Sequence, residues 1–318
     1  MIVLVTGGFD HRLRFWEATS GVCSKTLKFP GESQVNCVAV SPDKQLLVAG
    51  GNPHIQLYDA GSSADAPLVS FEGHSGNVTA VGFQKDARWV FSASEDGSVR
   101  IWDPRTPVCQ RCYDGGGQAP AVNALALHPN QTDLVAGDQS GCLKIWDLEA
   151  SACSHRQMPS PDVPIRSVSI ACDASLVAVG LHKGRVHVFN STDSRVGSSS
   201  SSSPHSLQAL EPRTDFQAHE DYLLRCVGSP DTQTLATTSA DKSIKLWSTG
   251  SWQCERTLLG HQRWVWDAAF SADSLYLVSA SSDQSAKLWD LRTGEVVRNL
   301  AGHSLAVTCV ALNDGTVQ

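Results

Sequence analysis

Seven times along the chain, an alternating apolar segment ends on an aromatic residue: LRFWE, IQLYD, VRIWD, LKIWD, VHVFN, IKLWS and AKLWD. The aromatic positions are Trp16, Tyr58, Trp102, Trp146, Phe189, Trp247 and Trp289, at intervals of 42, 44, 44, 43, 58 and 42 residues. A period in this range marks a repeat architecture, in which one supersecondary unit recurs and buries its apolar faces against its neighbours. Each unit carries an earlier strand and then a second, such as VNCVAV with LLVAGG or VTAVGF with WVFSAS, before the aromatic segment. A further strand follows it, such as VSFEGH or CERTLLGH. Four short antiparallel strands per unit make one propeller blade, so the expected fold is all-β with seven blades.

Three units share a stricter pattern. His74, His219 and His261 each lie 28 residues before Trp102, Trp247 and Trp289. Asp96, Asp241 and Asp283 stand six residues before those tryptophans, and Ser92, Thr237 and Ser279 four residues before the acids. The first unit repeats the spacing with Thr6, Asp10 and Trp16 but has no preceding histidine. The missing element lies near the other end, as Gly302-His303 followed by AVTCVAL. The C-terminal strand is therefore expected to complete a blade begun by residues 2–29, which removes the open edges that invite aggregation.

The units around Tyr58, Trp146 and Phe189 hold Asn52, Ser140 and Lys183 at the acid position. They are expected to rest on apolar packing and to be locally less stable. The long interval comes from STDSRVGSSSSSSPHS, residues 191–206. Its composition offers too little apolar surface for a core, so a flexible loop between the third and fourth strands of blade five is expected. Phosphorylation of its serines is the sharper alternative. The expected organisation is one propeller over residues 1–318.

Several functions are excluded by what the chain lacks. A formal charge of −7 argues against nucleic acid, which needs a clustered basic surface. No run of about 18 apolar residues is present, so no membrane insertion is expected. The opening MIVLVTGGFD lacks the basic region of a signal peptide, and a cytoplasmic location is expected. Cysteines such as Cys37, Cys142, Cys226 and Cys309 fall singly on strands, as small buried hydrophobes do. Cys109 and Cys112 form one CxxC, but two further ligands are not nearby and an extended strand would point the pair to opposite faces. Phosphate-loop, HExxH, GxSxG and EF-hand motifs are absent, so no cofactor, metal or catalytic site is expected. Ser92, His74 and Asp96 have the residue types of a catalytic triad, yet the set recurs beside an aromatic residue in other blades, as a structural element does. His11, His54 and His128 fall in turns and read as surface or capping groups.

The repeats resemble the WD-repeat family, and the resemblance implies that the His, Ser or Thr, Asp and Trp of each complete unit form a hydrogen-bonded tetrad. In this fold the loops entering each inner strand crowd around the upper mouth of the channel, where residues are free to serve recognition. Those positions hold Gln34, Asn36, Asn77, Asn123, Arg166, Tyr222, Arg225, Trp264 and Trp266. Trp264 and Trp266 alternate along one strand and share a face. Two tryptophans with arginines on one rim have the composition of an interaction hot spot.

Longer stretches narrow the resemblance. GFDHRLRFWEATSGVCSKTL (8–27), SQVNCVAVSPDKQLLVAGGNPHIQLYD (33–59), LHPNQTDLVAGDQSGCLKIWDL (127–148) and SSDQSAKLWDLRTGEVVRNLAGHSLAVTCVALND (281–314) resemble the G-beta-like (Lst-eight) subunits of TOR (target of rapamycin) kinase complexes. That resemblance implies a non-catalytic, monomeric propeller within a larger complex, docked on the C-terminal lobe of a TOR-type kinase domain beside other TOR complex subunits. A competing reading is a substrate receptor of a cullin–RING ubiquitin ligase, motivated by the WDxR runs ending at Arg105 and Arg292. A G-protein β subunit would need a long N-terminal helix, whereas this chain starts in a strand at Ile2.

Overall fold

The structure is a computed structural model that describes residues 2–62, 64–114, 119–193 and 207–315. It is built of seven four-stranded antiparallel sheets. Blade one begins with β1 (Val3–Gly8), β2 (Arg12–Trp16) and β3 (Cys23–Lys28). Blade two is β4 (Cys37–Val40), β5 (Leu46–Gly50), β6 (Ile55–Asp59) and β7 (Val69–Phe71). Blade three is β8 (Val78–Phe83), β9 (Val90–Ser94), β10 (Ser98–Trp102) and β11 (Cys109–Asp114). Blade four is β12 (Val122–Leu127), β13 (Asp133–Asp138), β14 (Leu143–Asp147) and β15 (Ala152–Gln157). Blade five is β16 (Ile165–Ile170), β17 (Leu176–Leu181), β18 (Arg185–Asp193) and β19 (Leu207–Gln217). Blade six is β20 (Leu223–Gly228), β21 (Thr234–Ser239), β22 (Ile244–Ser248) and β23 (Cys254–Leu258). Blade seven is β24 (Val265–Phe270), β25 (Tyr276–Ser281), β26 (Ser285–Asp290) and β27 (Glu295–Ala301). The last strand, β28 (Val307–Asn313), pairs with β1 from Val3↔Asn313 to Gly8↔Val307 and so completes blade one.

Inner strands touch in a closed circle: β28 with β4, β4 with β8, β8 with β12, then β16, β20 and β24, which returns to β28. The core is divided accordingly into seven apolar clusters, one between each pair of neighbouring blades. Because strand side chains alternate, one strand feeds two clusters. Val3 and Val5 face blade two, while Leu4 between them faces blade seven. Both faces of the middle strands are buried, which is why runs such as Val3-Leu4-Val5 read as continuously apolar. Neighbouring blades approach closely enough to demand small residues. A Cβ on Gly137 would lie 2.3 Å from Cγ2 of Ile165 in the next blade.

Turn chemistry recurs with the blades. Ser41, Ser229 and Ser271 each hydrogen-bond an aspartate two residues on (Asp43, Asp231, Asp273), which accepts a backbone N–H two residues later. These turns end the inner strands.

The tetrad residues are brought together in blades one, three, six and seven. In blade three Trp102 Nε1 donates to Ser92 Oγ (2.8 Å), which meets His74 Nε2 (2.8 Å), while His74 Nδ1 pairs with Asp96 (2.8 Å). Blade six repeats this with Trp247, Thr237, His219 and Asp241, and blade seven with Trp289, Ser279, His261 and Asp283. In blade one Trp16, Thr6 and Asp10 are joined by His303 from the opposite end of the chain. The donor sequence is consistent throughout: indole N–H to hydroxyl, hydroxyl to Nε2, Nδ1–H to carboxylate. Burial opposes ionisation of Asp96, but hydrogen bonds from Ser98, His74 and Ser75 outweigh it and bring its pKa down to about 2. Burial holds His74 below the ordinary histidine range, against the pull of Asp96.

Blades without the tetrad depart from the expectation of purely apolar support. In blade four Asp138 (2% exposed) takes the N–H groups of Ser140 and Cys142 and lies 3.0 Å from Lys144 Nζ. A buried ion pair replaces the tetrad there. In blade two Ser33 Oγ accepts from the Asn52 amide at 2.6 Å. His128 is not a surface group: it is fully buried and meets Ser191 Oγ at 3.3 Å, beside Asp133, which accepts the Leu207 N–H at 2.7 Å. Both contacts reach from blade four to blade five. They hold the two ends of the Ser-rich stretch, whose residues 191–193 continue β18 and whose residues 194–206 lie outside the described residues. The CxxC also differs. A register shift skips Gln110, so Cys109 pairs with Trp102 and Cys112 with Arg100, which places both cysteines on one face.

Candidate partner-binding rim

One device shapes the upper mouth of the channel. In six blades the inner strand carries a β-bulge near its start, skipping Thr79, Asn123, Arg166, Leu224, Trp266 and Thr308. A bulge drops one residue from the ladder and re-aims its side chain. Five of the six lie 23 residues before their blade's aromatic marker; Thr308 belongs to the blade closed across the termini. Asn36, 22 residues before Tyr58, is the counterpart in blade two. All seven line a cavity of about 370 Å3.

Of the nine residues expected at the rim, seven line this cavity: Gln34, Asn36, Asn77, Asn123, Arg166, Arg225 and Trp266. Arg225 adjoins the bulge position Leu224, and Asn77 lies two residues before the bulge position Thr79. Sequence reading missed Thr79, Leu224 and Thr308; the available signal was their constant spacing of five residues after the blade histidines His74, His219 and His303.

Tyr222 and Trp264 stand on the outer lip, 43% and 42% exposed. They belong to a chain of five rings. His182 stacks on Tyr222 (4.2 Å), Tyr222 meets Trp264 edge-on (6.4 Å), Trp264 lies 5.6 Å from Trp266, and Trp266 meets Phe9 at 6.5 Å. The arc runs from blade five to blade one. Phe9 and His182 were not anticipated, although both stand seven residues before their markers. Trp266 is fixed further by its indole N–H on Ser282 Oγ (2.6 Å).

The polar residues divide into spent and unspent. Asn77 donates to Glu95, Asn123 to Gln139 and the Ile165 carbonyl, and Asn36 to the Gly51 carbonyl. Arg225 lies 3.2 Å from Asp267, whose carboxylate also accepts the Val310 and Ala268 amides. Burial pushes the Asp267 carboxyl up, with Arg225 opposing. Arg166 is different. Burial holds its guanidinium below the usual arginine range, with only the more distant charge of Glu95 supporting it, and it makes no hydrogen bond or salt bridge among the described residues. A half-buried guanidinium with unmatched donors favours an acceptor brought by something else.

The remaining candidates offer no comparable surface. Ser92, Thr237, Ser279 and Thr6 are each fully buried and occupied by an indole N–H, so no substrate carbonyl can reach those hydroxyls. Among the described residues no group of three His, Cys, Asp or Glu side chains could hold a metal ion. No helix there is long and apolar enough to cross a membrane. Arg105 folds back onto Asp103 through two hydrogen bonds of 2.9 and 2.8 Å, whereas Arg292 lies 4.0 Å from Asp290.

Comparison with known proteins gives this arrangement relatives. A family model described as "WD domain, G-beta repeat" matches residues 21–59, 65–103, 107–147, 210–248 and 252–290. The chain is 48% identical over 259 residues to the target of rapamycin complex subunit wat1 of Schizosaccharomyces pombe, covering 81% of this chain and 78% of that one. It is 45% identical to the target of rapamycin complex subunit LST8 of Saccharomyces cerevisiae, over 82% of each chain. It is 42% identical to the subunit LST8-1 of Arabidopsis thaliana, over 83% of this chain and 82% of that one.

Proposed function

This chain belongs to the LST8 family of WD-repeat target of rapamycin complex subunits, and from that premise we propose that it is a non-catalytic subunit docking by its upper rim on the kinase domain of a TOR-type kinase. The contact falls on the C-terminal lobe, other complex subunits assemble around it, and the setting is cytoplasmic. The observation that carries the reading is the union of the aromatic arc with unmatched Arg166 on one side of one rim. Large exposed aromatic rings beside an unsatisfied arginine are what a desolvated interface centre is made of. The subunit acts by preferring the kinase's active conformation, and a differential of about 1–3 kcal/mol raises the active population by roughly 5–150-fold.

The test is purification of the tagged protein from its own cells. A large TOR-type kinase should be recovered near-stoichiometrically, and Trp264→Ala, which removes an exposed ring and leaves the Trp266–Ser282 bond in place, should cost about 2 kcal/mol of affinity. Retention of the kinase by the double variant Trp264→Ala/Trp266→Ala, with unchanged thermal unfolding, would overturn the assignment.

A further inference from the structure

The face opposite the rim carries a groove at the seam where the ring closes. It lies between blades seven and one and has a volume of about 340 Å3. Its walls are Ile2, Ala18, Val278, Leu288, Val297 and Leu312, with Tyr276 at the lip. The surroundings are unusually apolar for a surface. Ile2, Tyr276 and Val297, three of the 13 large hydrophobic side chains exposed on the described residues, line this one groove.

A sister groove between blades five and six shows what such a space takes. It is formed by matching residues: Leu176, Ala178 and Gly228 occupy the blade positions of Tyr276, Val278 and Leu312. Yet it holds only about 30 Å3, because Trp252 closes it. Trp252 sits five residues after Trp247, in a turn whose amide reaches the Ser248 carbonyl. The same turn in blade one has Gly21, five residues after Trp16, with its amide on the Glu17 carbonyl. Glycine stands where the plug would be. In the filled groove Arg213 lies over the Trp252 ring, 5.9 Å from its centroid.

The open groove is matched to a cation as well as a ring. Asp273 and Asp314 line it, and no Lys, Arg or His does. Asp273 is held below the ordinary carboxylate range by hydrogen bonds from Ser271 and the Leu275 amide, so it is charged at neutral pH. Asp314 accepts the Ala272 amide through Oδ1 alone, leaving its other oxygen for a ligand. Arg298 stands nearby, but its guanidinium is committed to the Thr19 and Val297 carbonyls.

We propose that this groove is a second docking site, taking from another protein a segment that inserts an aromatic side chain flanked by Lys or Arg. The partner's ring fills the place that Trp252 fills in the sister groove, and its cation reaches Asp273 and Asp314. The proposal is independent of the rim.

A phage-displayed library of random twelve-residue peptides, panned on the full chain, tests it. Selected sequences should pair Trp, Phe or Tyr with Lys or Arg. Their binding, read by fluorescence anisotropy, should weaken about tenfold in Asp273→Asn/Asp314→Asn, which keeps both Oδ1 acceptors, and disappear in Gly21→Trp. A Cβ at Gly21 meets nothing closer than 3.5 Å, and Trp252 adopts the same left-handed backbone (φ 57° against 75°), so the backbone admits the plug, and thermal unfolding of Gly21→Trp checks that the variant folds. Trp264→Ala should leave binding unchanged. Selection of no such pairing, or binding indifferent to Gly21→Trp, would overturn the proposal. So would a dimer abolished by Gly21→Trp, or binding that emerges only after deletion of residues 316–318; these would assign the groove to a second copy or to the chain's own end.

Discussion

At the scale of single residues, the four tetrads couple the fold to pH. Asp10, Asp96, Asp241 and Asp283 are all held below the ordinary carboxylate range, by networks that outweigh their burial. A carboxylate depressed in the folded state stabilises above its unfolded value, about 3.9, and that contribution is lost as pH falls towards the folded value. His74, also depressed, adds a loss that starts near its unfolded value of about 6.5. The urea midpoint should therefore begin to slip below about pH 6.5 and drop steeply between about pH 4 and 2. Asp96→Asn should flatten part of the steep region while lowering stability at neutral pH. Tyr58 gives the opposite kind of prediction. Its hydroxyl is buried without a hydrogen-bond partner among the described residues, and burial pushes its pKa to about 12. Tyr58→Phe should raise stability by about 1 kcal/mol, since an unmatched buried hydroxyl costs about 1–3 kcal/mol. The tetrads were legible in the sequence because four side chains must meet in one register, which fixes their spacing. The rim was legible only in part. A bulge constrains where a residue points and not what it is, so Thr79, Leu224 and Thr308 carried no compositional mark.

Among the blades, each irregular one has found its own polar anchor. Asp138 and Lys144 brace blade four, and removing one partner of a buried pair typically costs about 3–5 kcal/mol. Lys144→Met should therefore destabilise strongly, measured by thermal unfolding, whereas Asp138→Asn/Lys144→Met, which removes both charges and keeps Oδ1 as acceptor for the Ser140 and Cys142 amides, should recover much of the loss. Blade five is held through its neighbour: Asp133 of β13 takes the first amide of β19, at Leu207. These anchors escaped the sequence reading because none recurs, and a repeat-based argument sees only what repeats. His128 illustrates the point: its turn position suggested a surface or capping group, and its Nδ1 does accept the Asn130 amide, but its ring is enclosed between blades four and five.

For the molecule as a whole, stability is shared among seven equivalent interfaces, and the ring is closed by pairing β28 with β1 and by His303 joining Thr6 and Asp10. The seven-blade count and the closure were readable from spacing alone. The seam groove was not, because it arises from a glycine where another blade has tryptophan. Closure also imposes an order in time. The strand Val307–Asn313 leaves the ribosome about 300 residues after its partner Val3–Gly8, which at about 5–20 residues per second is a wait of roughly 15–60 seconds. Through that interval the first blade has no inner strand and no histidine for Thr6 and Asp10, and its edge is open to any passing β-strand. Until residue 303 and the strand after it are made, the first blade therefore presents an unpaired strand edge, the kind of surface that templates aggregation.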